Sequence, residues 1–81
     1  MGDTRKKVTV VKREHEGRQV WMLRAESGKY LGRVHSKWFG FVGLYEPNDP
    51  KNAALYYGES EAEAHITAWQ KGYRLVSETE N

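Results

Sequence analysis

Lys37-Trp38-Phe39-Gly40-Phe41-Val42-Gly43-Leu44-Tyr45 places four aromatic residues in nine positions behind a cation, at the two-residue spacing of a strand rather than the 3.6-residue spacing of a helix. Alternation directs Phe39, Phe41 and Tyr45 to one face and Trp38, Val42 and Leu44 to the other. Both faces are then apolar in an otherwise hydrophilic chain of 81 residues. How those two faces are covered decides the fold. A sheet backed by a helix hides one face and leaves the second for a partner or a planar ligand, whereas a closed barrel hides one face inside itself.

Upstream, the β-branched run from Val8 to about Glu14 and the run Gln19 to Ala25, joined at Glu16-Gly17, predict a hairpin. Ser27-Gly28 turns the chain into a third strand, Lys29 to His35, and Ser36-Lys37 breaks it from the aromatic strand Trp38 to Tyr45. Short strands joined by tight turns predict an antiparallel meander. Downstream, Glu46 to Asn52 contains Pro47 and Pro50 and reads as a surface loop, with Ala53 to Tyr57 a candidate fifth strand.

Ser60 followed by Glu63 has the spacing of a capping box, and it opens an amphipathic helix from about Glu61 to Lys71 with Gly72 beyond its end. Ala62, Ile66, Trp69 and Tyr73 form the stripe expected to face the sheet. Tyr73 to Val76 can return as a terminal strand. The fold class that follows is α+β, an antiparallel meander of four to five strands backed by one C-terminal helix, with a small β-barrel carrying a C-terminal helix as the alternative. Residues 1–6 read as a flexible basic arm, 7–76 as a single domain and 77–81 as an acidic tail.

The charge is unevenly distributed. Residues 1–37 carry ten Lys and Arg against four acids, a net +6, while the remainder holds three against seven, a net −4. Glu59, Glu61 and Glu63 sit where carboxylates complement the positive end of the helix dipole, so they need no partner. The basic excess of the first half has no such local explanation, and it points to a polyanion or an acidic protein surface.

Other chemistry is thinly represented. Cysteine is absent, and His15, His35 and His65 stand apart without metal-ligand spacing. No phosphate-loop or nucleophile-elbow motif occurs. The expectation is a non-enzymatic protein without cofactor or metal. With neither a signal-like N-terminus nor an apolar run of membrane-spanning length, the chain reads as cytoplasmic, in a host cytoplasm if viral.

Lys37 to Leu44, K-W-F-G-F-V-G-L, resembles the ribonucleoprotein motif of RRM and cold-shock RNA-binding domains, with Lys37, Phe39, Gly40, Phe41 and Val42 in register. Trp38 stands where that motif has glycine, Leu44 replaces its last aromatic, and the likeness covers at most about a third of the chain. It implies Phe39 and Phe41 stacking on bases and Lys37 meeting phosphate. The C-terminal third is similar in architecture to small phage-encoded inhibitors of host enzymes. It is also similar to integrase arm-binding domains, in which a three-stranded sheet backed by a helix reads DNA.

Two readings follow. In the first, a basic sheet face binds single-stranded or duplex nucleic acid through Lys12, Arg13, Arg24, Lys29, Arg33 and Lys37, with Trp21, Tyr30, Phe39 and Phe41 as stacking groups. In the second, an exposed sheet face or edge docks on a larger acidic protein as an accessory or inhibitor, and a homodimer could cover the same face.

Overall fold

The computed structural model describes residues 5–48 and 54–77. Residues 1–4 of the expected arm, 49–53 of the proline loop and candidate fifth strand, and 78–81 of the expected tail lie outside the described residues. Lys6 already belongs to the first strand.

The first hairpin forms as its sequence requires. Strands β1 (Lys6–His15) and β2 (Arg18–Ala25) pair antiparallel from Val8↔Ala25 to His15↔Arg18. Glu16 and Gly17 connect them with φ of 51° and 77°, the two-residue turn whose twist matches that of the strands. A second hairpin follows, β3 (Gly32–Ser36) and β4 (Gly40–Tyr45). After the helix α1 (Glu61–Gln70), strand β5 (Tyr73–Ser77) returns parallel to β1. The result is an α+β fold with mainly antiparallel strands in two sheets, β2-β1-β5 and β3-β4, and with no closed barrel among the described residues.

The two sheets are laced together rather than continuous. Ala25 N–H donates to Lys29 O, Leu31 N–H to Leu23 O and Tyr56 N–H to Leu31 O, while Trp21 and Gly58 exchange a pair of backbone bonds. The segment 54–58 thus satisfies the backbone of both sheets through isolated bridges at Leu55 and Gly58, where a regular fifth strand is expected.

Strand register assigns the faces of the three-stranded sheet. Val8, Val10, Leu23, Ala25 and Leu75 point to the helix side and form the main core with Leu31, Tyr56, Ala64 and Ala68. On the opposite side, Val11, Val20 and Met22 form a second cluster under Tyr30, Leu55 and Tyr57.

The helix start agrees with its signature. Ser60 caps it, accepting from Glu63 N–H at 3.1 Å, while the Glu63 carboxylate accepts from Glu59 N–H at 3.0 Å. The inward face does not agree. Ala64 and Ala68 are fully buried, whereas Ala62 is exposed and Ile66 and Trp69 remain 57% and 56% exposed. At 3.6 residues per turn, the Ala64/Ala68 line lies about 150° from the centre of the Ala62/Ile66/Trp69 stripe. Apolar residues occupy both sides of the helix, and the small ones face inward because they let its backbone approach Leu23 and Tyr56 closely. Trp69 is instead covered in part by the Arg5 guanidinium, 4.0 Å from its ring, which also donates to Trp69 O at 2.8 Å. A cation there complements the C-terminal end of the helix dipole.

The aromatic segment also departs from simple alternation. Trp38 and Phe39 belong to the turn, not the strand, and a bulge opposite Val34/His35 leaves Val42 without a direct partner. One extra residue on β4 shifts everything beyond it to the other face. Phe41 and Leu44 therefore both pack against the main core, while Tyr45 lies across Gly32.

Gly32 is held by that contact. A Cβ there would meet the Tyr45 ring at 2.8 Å and Ala54 O at 3.2 Å. Gly32→Ala is expected to cost about 1–3 kcal/mol by overpacking, read from urea unfolding, and Gly32→Ala combined with Tyr45→Ala should recover part of the loss. A neutral single substitution would show that Tyr45 does not hold this position.

Candidate nucleic-acid interface

The face of the three-stranded sheet turned away from α1 collects charge of one sign. By register, Lys7, Thr9, Val11, Arg13 and His15 of β1 share it with Arg18, Val20, Met22 and Arg24 of β2 and Arg74 and Val76 of β5. Five of these residues are Lys or Arg, and none is acidic. Lys7, Arg18, Arg24 and Arg74 make no ion pair among the described residues. The side-chain Nε of Arg74 is buried and lacks a hydrogen-bond partner, a state that costs about 1–3 kcal/mol.

These cations form two groups. Lys7, Arg24 and Arg74 share one end of the face, where Lys7, Thr9, Arg24 and Val76 line a depression of about 250 Å³ together with the acidic Glu26. Arg13 and Arg18 mark the other end. Four residue steps along the strand separate the Thr9–Arg24 row from the Arg13–Val20 row, about 13 Å at ~3.3 Å per residue. Between them lies the apolar cluster with its tyrosines. Arg13 Nε donates to Tyr30 Oη at 3.3 Å and its guanidinium also donates to Lys12 O at 2.8 Å, while His15 stacks on Tyr57 with ring centroids 4.5 Å apart. The end of the face is thus a fixed array of flat groups and cations.

The residues singled out from sequence divide among several surfaces. Arg13, Arg24 and Tyr30 belong to the basic face. Lys12 pairs with Trp21 and shares its side of the sheet, facing the helix, and Trp21 packs on the main core. Neither can act with Arg13 and Arg24 on one flat ligand. Lys29 is exposed beside the turn that follows β2. Arg33 lies with His35 and Phe41 in a shallow groove of about 180 Å³ reaching Tyr56, Glu63 and Thr67. Lys37 and Phe39 are at the exposed end of the second hairpin. Phe41 is half-buried, tilted against Tyr56 at 6.2 Å and His35 at 5.8 Å, with Lys71 Nζ 5.0 Å from its ring centre. Such a ring cannot offer a free face on the strand.

Lys7, Arg18 and Arg74, with His15 and Tyr57, are the additional members. Strand alternation across the two-residue Glu16-Gly17 turn carries enough information to align Lys7, Arg13 and His15 with Arg18 and Arg24. Arg74 joins them only through the parallel return of β5.

Titration adds little chemistry. Burial holds the Tyr56 phenol above its ordinary range; its hydrogen bond to Thr67 opposes that shift and Glu63 adds to it. Tyr73 is raised by burial and then by Glu46. Both stay neutral at physiological pH. Among the described residues, no group of three or more potential ligands gathers to hold a metal ion, and no helix is long and apolar enough to cross a membrane.

No family model matches this chain, and neither the curated proteins nor the solved structures include one similar to it.

Proposed function

We propose that the chain is a small, non-enzymatic nucleic-acid-binding module whose phosphate-contacting surface is the face of the β2-β1-β5 sheet opposite α1. One observation carries this reading: Lys7, Arg13, Arg18, Arg24 and Arg74 share a single face on which no strand position is acidic. Like charges gathered this closely repel one another in the free protein, and a polyanion relieves that repulsion while releasing its own counterions. The helix and its carboxylates lie on the other side, where they support the sheet without opposing the ligand.

Fluorescence anisotropy with labelled single-stranded and duplex oligonucleotides, run between 50 and 200 mM salt, tests the proposal. About five phosphate contacts predict that affinity falls by roughly 100-fold for single strands and roughly 500-fold for duplex over that interval. No saturable, salt-sensitive binding at micromolar protein would refute it.

A second reading, docking on a larger protein, is favoured by a different observation. Val34, Val42 and Tyr45 stay exposed on the hairpin β3-β4. Docking through these apolar side chains predicts no saturable oligonucleotide binding, so the same titration separates the two.

A further inference from the structure

We propose that the tip of the β3-β4 hairpin is a base-stacking wedge, and that Trp38 and Phe39 direct the protein to unpaired nucleotides. This rests on the nucleic-acid reading above and names the class of ligand within it. The two rings are the most exposed large apolar groups described, at 84% and 82%. They are adjacent in the three-residue turn between β3 and β4.

The turn is built to present them. Ser36 Oγ accepts from Trp38 N–H at 3.1 Å and from Phe39 N–H at 3.3 Å, and Gly40 leaves the turn at φ 72°, a left-handed conformation that a side chain rarely adopts. The backbone is therefore held while both rings project. Two neighbouring aromatics left in water forgo the stabilisation that burial would provide, so a ligand that covers them gains it.

Charge selects the ligand. Between Glu26 and Glu46 the chain has Lys29, Arg33 and Lys37 and no acidic residue. The hairpin itself carries Arg33 and Lys37 with its aromatics, the combination that tracks a single strand by pairing phosphates and stacking bases. Insertion into an intact duplex would additionally require unstacking a base step. Unpaired bases carry no such penalty. The stacking surface lies at the turn, since Phe41 in the strand is committed to the core.

The test compares the wild type with Trp38→Ala/Phe39→Ala and with the conservative pair Trp38→Phe/Phe39→Tyr. Binding is measured on oligo(dT), oligo(U) and a blunt duplex of equal length, and melting by circular dichroism checks the fold. Removing both rings should weaken single-strand binding by about 5- to 150-fold for each stacked base lost, leave duplex affinity within a few-fold and leave the salt dependence unchanged. The conservative pair should restore single-strand binding. The oligo(dT) and oligo(U) arms show whether DNA or RNA strands are preferred.

Equal weakening on duplex, or no weakening on either strand, would overturn the wedge. Arg13→Gln/Arg24→Gln, assayed alongside, distinguishes the two proposals: if it reduces binding while the tip variants do not, the basic face stands and the wedge falls. If the wild type binds none of the three, both fall. Binding to a protein surface lost with the tip residues, without oligonucleotide binding, would likewise overturn it.

Discussion

Charge reversal at two positions of the basic face, Arg13→Glu/Arg24→Glu, should abolish measurable oligonucleotide binding at moderate salt. The two residues stand at opposite ends of one sheet face, with Lys7, Arg18 and Arg74 completing the array. Each cation that meets a phosphate contributes about one unit to the salt slope. The neutral pair Arg13→Gln/Arg24→Gln should therefore lower that slope by about two, with similar losses on all sequences. Replacing Arg24 by glutamate places a carboxylate on the side of the sheet that carries Lys7 and Arg74, so the fold should tolerate it. Lys12→Gln provides the control, because Lys12 projects to the other side of the same strand and its loss should change affinity only a few-fold. Equal losses at Lys12 and Arg24, or a slope unchanged by the double substitution, would place the ligand elsewhere.

Overpacking of the helix face should lower stability as much as overpacking at Gly32. Ala64→Leu and Ala68→Leu should each destabilise the domain by about 1–3 kcal/mol, since both alanines are fully buried against the sheet and the added branch has no space. Each kcal/mol should lower the melting midpoint by about 4–8 °C in a domain of this size. Ile66→Ala and Trp69→Ala remove more carbon from the same helix, yet each should cost no more than about 1 kcal/mol, because both side chains are more than half exposed. For Trp69 the cost includes its stack with Arg5, about 0.5–1 kcal/mol. Urea unfolding of the four variants decides the matter. The reverse order would mean that the helix packs through its large apolar stripe after all.

These two expectations correspond to the two places where a reading of residues in chain order falls short. Although the second hairpin forms with later strand starts, at Gly32 and Gly40 rather than Lys29 and Trp38, the first hairpin's turn, the Ser60 cap and the positive-φ glycine beyond the helix depend on neighbours within four residues, and each forms where the residues require. The helix face does not. Ala64 and Ala68 are the weaker apolar signal, and periodicity favours the heavier Ile66 and Trp69 although close approach to Leu23 and Tyr56 needs the smaller side chains. Likewise, one bulge at Val42 overturns the alternation of the aromatic strand, returning Leu44 to the side of Phe41. In the basic first half, strand alternation groups Lys7, Arg13, Arg18 and Arg24 but leaves out Arg74. Lys12 and Arg13 are adjacent in sequence and lie on opposite faces, whereas Arg74 is distant and lies beside Lys7.

By itself, the sequence determined the α+β class, both hairpins, the capped C-terminal helix and the excess of positive charge in the first half, because those follow from local backbone preferences and composition. Tertiary structure alone decided which side of the helix is buried, that Phe41 joins the core while Trp38 and Phe39 project from a turn, and that Arg74 joins the four cations of the first hairpin on one face. Those outcomes depend on how closely a helix can approach a sheet, on one inserted residue in a strand, and on a parallel return across most of the chain's length. None of these is encoded within a short window of residues.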